Sequence, residues 1–245
     1  MNPQNVGFRN YFLALTDGNF LHSVLNNFAF STAAIIASVT LGYLLSVFLS
    51  FKFRGVGLFK TLFFIPSLLP MSLIAVVFAG MLEYNFGTLN TILRTVGLEF
   101  LAQRWLSDPT LAYICVMSVS FYIIGIPMIF YTSELTTINT SITEAAAIDG
   151  AGMKEMLTMI LFPLLKNSHK TVILSTLLGS LREFERVFLM TQGGPAGATE
   201  ISGTYIYGFA TSGGKSVGYV SAVSIVVLAI ALIISFVQLR LYRKQ

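Results

Sequence analysis

Glu144–Pro163 reads EAAAIDGAGMKEMLTMILFP, a polar, small-residue stretch set between long apolar runs. Ser141-Ile142-Thr143-Glu144, which leads into it, fits a capping box. In that motif the serine hydroxyl serves an orphan N–H and the glutamate reaches back to the cap. Glu144–Ile148 then offers four good helix formers among five residues, and Gly150 stands where a left-handed residue would end the helix. Met153–Leu161 is a second amphipathic run, which Pro163 is expected to stop. Shape alone supports two readings: a helix–Gly–helix made to dock into another protein's groove, or an ordinary cytoplasmic loop with a re-entrant edge.

Composition settles the environment. Of 245 residues, 55% are hydrophobic and 11% charged, with a mean hydropathy of +0.76. Soluble domains carry about 25% charged residues, so this chain is an integral membrane protein. Charge-free runs near the roughly 20 residues a bilayer requires occur at Phe28–Phe51, Thr61–Met81, Leu111–Ser133 and Val217–Leu239 apart from flanking groups. A fifth candidate, Thr171–Met190, is interrupted by Arg182, Glu183, Glu185 and Arg186. Strand signals are nearly absent. Pro66, Pro70 and Pro127 lie within spans, where kinks are tolerated and chiefly serve packing. Leu82–Pro109 forms the longest loop, with Tyr84 and Trp105 as candidate interfacial anchors. Cys115 is the single cysteine, which leaves no intrachain disulfide and no multi-cysteine metal site.

The formal charge of +4 is informative through its placement, and it is no nucleic-acid signal. Lys52, Arg54, Lys60, Lys154, Lys166, Lys170, Arg240, Arg243 and Lys244 fall on one set of alternate segments, against Arg9, Arg94, Arg104 and Lys215 on the other. Positive-inside bias puts Glu144–Pro163 and the C-terminus in the cytoplasm. Five spans then place the N-terminus outside, although Met1–Asn27 carries no signal peptide.

Glu144, Ala145, Ala146, Gly150, Ile160 and Pro163 match the EAA signature of binding-protein-dependent ABC importer permeases, EAA-x3-G-x9-I-x-L-P, with Phe162 in place of its Leu. The segments Tyr84–Asn90, Trp105–Pro109 and Thr191-Gln192-Gly193-Gly194-Pro195 resemble landmarks of the carbohydrate-type members. Specifically, they resemble the F-type permease of maltose transporters, a pattern also seen in glycerol-3-phosphate importers. The resemblance covers residues 7–241, almost the whole chain. It implies an all-α, polytopic transmembrane helix bundle of the type I ABC importer kind, one permease domain over 1–245 with a coupling segment at 141–163. Sugar-type permeases commonly carry a further span before a segment like Gly7–Tyr11, and this chain is expected to lack it.

The family likeness also implies partners and roles. The complex would hold this chain, a sister permease, two ATP-binding subunits and an extracytoplasmic solute-binding protein in a bacterial or archaeal cell membrane. ATP and magnesium would sit on the ATPase, with no cofactor on this chain. Glu144, Ala145, Ala146 and Asp149 would fit a cleft on the ATPase, Gly150 would permit the turn, and Pro163 would set the return toward the membrane. Which sugar or polyol passes is left to the separate binding protein.

Other motifs carry less. Gly213-Gly214-Lys215-Ser216 ends like a phosphate loop, but the required first glycine is Phe209 and no strand precedes it. His22 and His169 lack further ligands at helical spacing. On a continuous helix, Arg182–Glu185 and Glu183–Arg186 are i,i+3 pairs, and Arg182 and Arg186 share a face. Such charges avoid lipid, and they fit either ion bridges that pack helices or a polar wall along a solute path. A self-sufficient secondary transporter would show inverted repeats, and an intramembrane enzyme a nucleophile–base or metal set; neither is visible.

The charge distribution yields a direct test. A cysteine at Ala151 is expected to react only with a reagent supplied from the cytoplasmic side, and one at Gly197 only from outside. The opposite pattern overturns the orientation.

Overall fold

The computed structural model describes residues 6–51, 53–212 and 216–243, and every regular element among them is helical. Lys52, Lys215 and Lys244 of the charge argument, and Gly213–Lys215 of the phosphate-loop resemblance, lie outside the described residues. In chain order the helices are α1 (Arg9–Thr16), α2 (Gly18–Ser50), α3 (Val56–Phe64), α4 (Met71–Met81), α5 (Thr88–Thr95), α6 (Pro109–Tyr122) and α7 (Gly125–Leu135). Then come α8 (Thr140–Ile148), α9 (Met153–Glu155), α10 (Phe162–Leu164), α11 (Lys166–Leu181), α12 (Glu185–Met190), α13 (Ser202–Ser212) and α14 (Val217–Arg243). A 3-10 turn, Ile65–Leu68, follows α3, and a π turn, Met156–Leu161, joins α9 to α10.

Gly18–Ser50, Pro109–Leu135 and Val217–Gln238 are long and apolar enough to cross a bilayer, and Val56–Leu68 with Met71–Met81 adds a fourth if that broken pair counts as one span. The fifth expected span is not one helix. Arg182 N–H bonds to Gly179 C=O and Glu183 N–H to Ser180 C=O, i→i−3 contacts that tighten and end α11. The 16 residues of α11 reach only about 24 Å at a rise of 1.5 Å each. The prolines also do more than kink. Pro66 sits at the start of the 3-10 turn, Pro70 caps α4, and Pro127 lies in the first turn of α7, so each begins a helix where its missing N–H costs nothing. Leu69, ahead of Pro70, is extended at φ −74°, ψ 142°, as a residue before proline should be.

The chain forms two compact units, each assembled from separated stretches of sequence. The first comprises Met1–Thr32, Pro70–Val119 and Leu178–Gln245. Ala14, Phe20, Tyr205, Tyr219 and Val223 form a core there. Asp17 organises it: Oδ1 accepts the Asn19 N–H at the start of α2, while Oδ2 accepts the hydroxyls of Tyr205 and Tyr219, each at 2.9 Å. This cap explains why α2 starts ten residues before the apolar run that marks it in the sequence. The segment that follows the Thr191–Pro195 landmark is held in place from α2. Asn26 Nδ2 donates to the carbonyls of Ala198 and Glu200, and Asn27 Oδ1 accepts the Ser202 N–H and hydroxyl. Asn90, fully buried, centres the long loop, its amide donating to the carbonyls of Tyr84 and Gln103. Its Oδ1 accepts the Trp105 indole N–H at 2.8 Å, so that donor is satisfied within the loop. Glu83 caps the same loop, and the backbone N–H groups of Asn85 and Phe86 hold its carboxyl below the usual carboxylate range.

The second unit comprises Ala33–Leu69 and Ser120–Leu177, with Tyr43, Val47, Tyr131, Leu161, Leu165 and Val172 as its core. α7 approaches the end of α3 very closely at Gly125. A Cβ there would lie 2.6 Å from both the Phe63 carbonyl oxygen and Ser67 Oγ, and the Gly125 N–H donates to that same Oγ at 3.0 Å. Small residues let membrane helices meet in this way. Gly125→Ala is therefore expected to destabilise the solubilised chain by about 1–3 kcal/mol, read as a lower thermal midpoint. Gly80→Ala, at a position with nothing within 4 Å, serves as the control. Equal midpoints for the two variants would contradict the close packing.

Candidate coupling site

α8 has no buried residue and packs only lightly, against the π turn that follows it. Its cap is Asn139, two residues before the expected serine: Asn139 is extended at φ −67°, ψ 124°, and its side-chain oxygen accepts the Ser141 N–H at 3.0 Å. The capping box is thus corrected. Asn and Ser are comparably good caps, and the extended backbone at Asn139 starts the helix before Ser141 can serve. Glu144 is thereby left exposed on the surface, as are Ala145 and Asp149, with Ala146 half-buried. The C-terminal reading holds in detail. Gly150 adopts φ +84°, its N–H bonds to Ala147 C=O at 3.2 Å, and the Ala151 N–H bonds to Ala146 C=O at 2.9 Å. Those two bonds make a Schellman motif, in which a left-handed residue closes the last carbonyls. Ile148 projects from this helix 86% exposed.

Pro163 does not stop the following run. Helix continues from Met153 to Leu164, and Pro163 lies exposed inside it because the turn ahead has widened from α to π. A proline ring clashes with the carbonyl four residues back in a regular α-helix, and a π turn moves that carbonyl's partner to five residues on. Leu157 C=O accepts the Phe162 N–H in this pattern. It also accepts the hydroxyl of Tyr43 from α2 at 2.6 Å.

A second tie lies alongside. His169 Nε2 faces the Phe162 carbonyl at 2.8 Å, and its Nδ1 faces the Tyr131 hydroxyl at 2.7 Å. A carbonyl only accepts, so the proton is assigned to Nε2, and Nδ1 accepts from Tyr131. On α7, Glu134 Oε2 accepts the Ser168 N–H at 2.6 Å, a carboxylate at the positive end of α11. α8 and its turn are thus a small exposed unit, fixed at its return end to α2 and α7. Tyr43, Tyr131 and Glu134 do not stand out in the sequence, and His169 is weighed there only as a metal ligand. The available signal was polar side chains inside apolar spans, which must find partners there.

The charged segment divides. Because the chain leaves the helix at Arg182, Arg182 and Arg186 share no helical face, and Arg182–Glu185 is not a helical pair; both side chains are exposed. Glu183–Arg186 does form, at 2.5 Å, with Arg186 only 2% exposed and its guanidinium 5.8 Å from the Phe30 ring centre. Glu183 Oε1 is buried and accepts no hydrogen bond. This pair fastens the turn between α11 and α12.

Comparisons with known proteins agree with this architecture. The chain is 30% identical over 241 residues to the probable ABC transporter permease protein YurN of Bacillus subtilis, covering 97% of this chain and 82% of that one. It is 29% identical over 240 residues to the multiple sugar-binding transport system permease protein MsmF of Streptococcus mutans, covering 98% and 81%. A crystal structure of a bacterial ABC transporter involved in import of the acidic polysaccharide alginate shares the fold. Its TM-score is 0.85 at 20% identity, covering 98% of this chain and 84% of that chain. Residues 26–245 match the family model described as the inner membrane component of binding-protein-dependent transport systems, and the chain belongs to that family.

Proposed function

We propose that this permease moves a sugar, oligosaccharide or related polyol into the cytoplasm and is driven by ATP hydrolysed on separate subunits. What supports a carbohydrate cargo is the naming of its relatives, multiple sugars for one and alginate for another. The observation that carries the coupling is α8 itself: an exposed helix, closed at both ends, with a bare isoleucine and a carboxylate on its surface. An apolar knob beside a charge suits a desolvated cleft on a protein partner. α8 docks on the cytoplasmic ATPase, Glu144 makes a charge-assisted contact there, and Gly150 and Pro163 shape the return.

The complex in this reading also contains a sister permease, a second ATPase subunit and a solute-binding protein on the outer side. Closure of the ATPase dimer displaces α8. The π turn passes the displacement to α2 and α7 through Tyr43, Tyr131 and Glu134, a rigid element with two arrangements. Arg182 and Glu185, exposed beside the fixed Glu183–Arg186 pair, offer hydrogen-bonding groups for the solute path.

Glu144→Ala and Gly150→Pro are expected to insert normally in reconstituted vesicles yet transport less solute per ATP hydrolysed, by about tenfold or more. Proline cannot adopt the positive φ of Gly150, and the alanine removes a charge-assisted contact, where about 1.4 kcal/mol corresponds to tenfold. Normal transport by both variants would remove α8 from the coupling path.

A further inference from the structure

Lys60, on α3, lies between two clefts in the second unit. The larger, about 770 Å3, is lined by Val47 and Phe51 at the end of α2, Leu135 of α7, and Met153, Met156 and Leu157 of the run after α8. The smaller, about 350 Å3, lies against Phe64, Met128 and Ile129. Lys60, Thr132 and Thr136 line both. Ligand sites span about 300–1,000 Å3, so the larger cleft is of binding-site size.

The chemistry of the lining is lopsided. Among the described residues Lys60 is the only charged one lining either cleft. Among the described residues no acidic side chain lies within ion-pair distance of it. The hydroxyls of Ser50, Thr132, Thr136 and Thr143 donate to carbonyls of their own helices. That leaves one ammonium beside a long aliphatic slot. The neighbouring surface of α3 is apolar and open, with Leu58 73% and Leu62 60% exposed, and Arg54 is exposed just ahead of it.

We propose that the larger cleft binds an anionic phospholipid, its phosphate on Lys60 and an acyl chain along Leu135, Met156 and Leu157. One lipid supplies both the negative charge and the long apolar body that the lining asks for, and Leu58 and Leu62 leave the same helix, α3, with exposed apolar side chains beside Lys60. Basic pockets between membrane helices recruit anionic headgroups, and a lysine reaches the headgroup level while its stem stays in apolar surroundings. The lipid would lie against the run that follows α8 and brace it.

The test uses the full chain in vesicles with photoreactive phosphatidylglycerol or phosphatidylcholine carrying the reactive group on the acyl tail. The phosphatidylglycerol probe is expected to label peptides within Met153–Leu161 about fivefold more than the phosphatidylcholine probe, the preference one basic side chain gives near an anionic lipid. Lys60→Gln should bring labelling down to the phosphatidylcholine level, Lys60→Arg should retain it, and Met156→Trp should block it by filling the slot. Equal labelling by the two probes, or labelling indifferent to Lys60→Gln, overturns the proposal. Loss of labelling when the cognate ATPase is bound also overturns it, since a protein would then occupy the cleft. The readout is occupancy and not transport, so its failure leaves the coupling role of α8 untouched.

Discussion

A backbone buried among apolar spans has no water to bond, so every interruption of its helical ladder needs a partner from elsewhere in the protein. In the run after α8 such an interruption is met from within the protein although much of the run is itself exposed: Pro163 brings a ring and no N–H into a continuing helix. The helix answers by widening to a π turn, and α2 answers by sending the Tyr43 hydroxyl to Leu157 C=O. Glu134 and the Tyr131–His169 pair complete the attachment from α7. Each such bond contributes about 1 kcal/mol, but together they fix where the exposed helix emerges. A helix with no buried residue of its own owes its position to these ties.

Position matters because α8 carries the exposed groups to which the proposed coupling is assigned. Among the described residues several polar groups within the fold serve structure: half-buried Asp17 gathers two tyrosines, buried Asn90 gathers a loop, and buried Asn26 and Asn27 hold the segment after α12. Glu183 and Arg186 neutralise one another beneath Phe30. Exposed groups on α8 and beside the turn at Arg182 remain available to partners.

Much of α8 was legible in the sequence. Gly150 fixed the end of the helix because few other residues tolerate a positive φ, and the spacing from Glu144 to Gly150 identified the family. The start was less so: Asn139 and Ser141 are both good caps, and only the extended backbone at Asn139 decides between them. Pro163 read as a stop because a six-residue π turn leaves no local signature. The pairing of Arg182 with Glu185 rested on a helix that ends at Leu181. Tyr43 meets Leu157 across 114 residues of sequence, a contact that periodicity has no means of revealing. Local rules therefore recovered α8 and its C-terminal end but missed its start, the helix through Pro163 and the end of α11, and the bonds that orient this segment are long-range.

The proposed coupling requires α8, held by these ties, to insert into the ATPase. The most direct measurement is photo-crosslinking from a benzophenone side chain placed at Ile148, in vesicles that contain the assembled importer. The account predicts a covalent adduct with the ATPase subunit that is lost when the ATPase is stripped away. Adducts confined to lipid or to the permease's own chain, with the ATPase present and active, would contradict it.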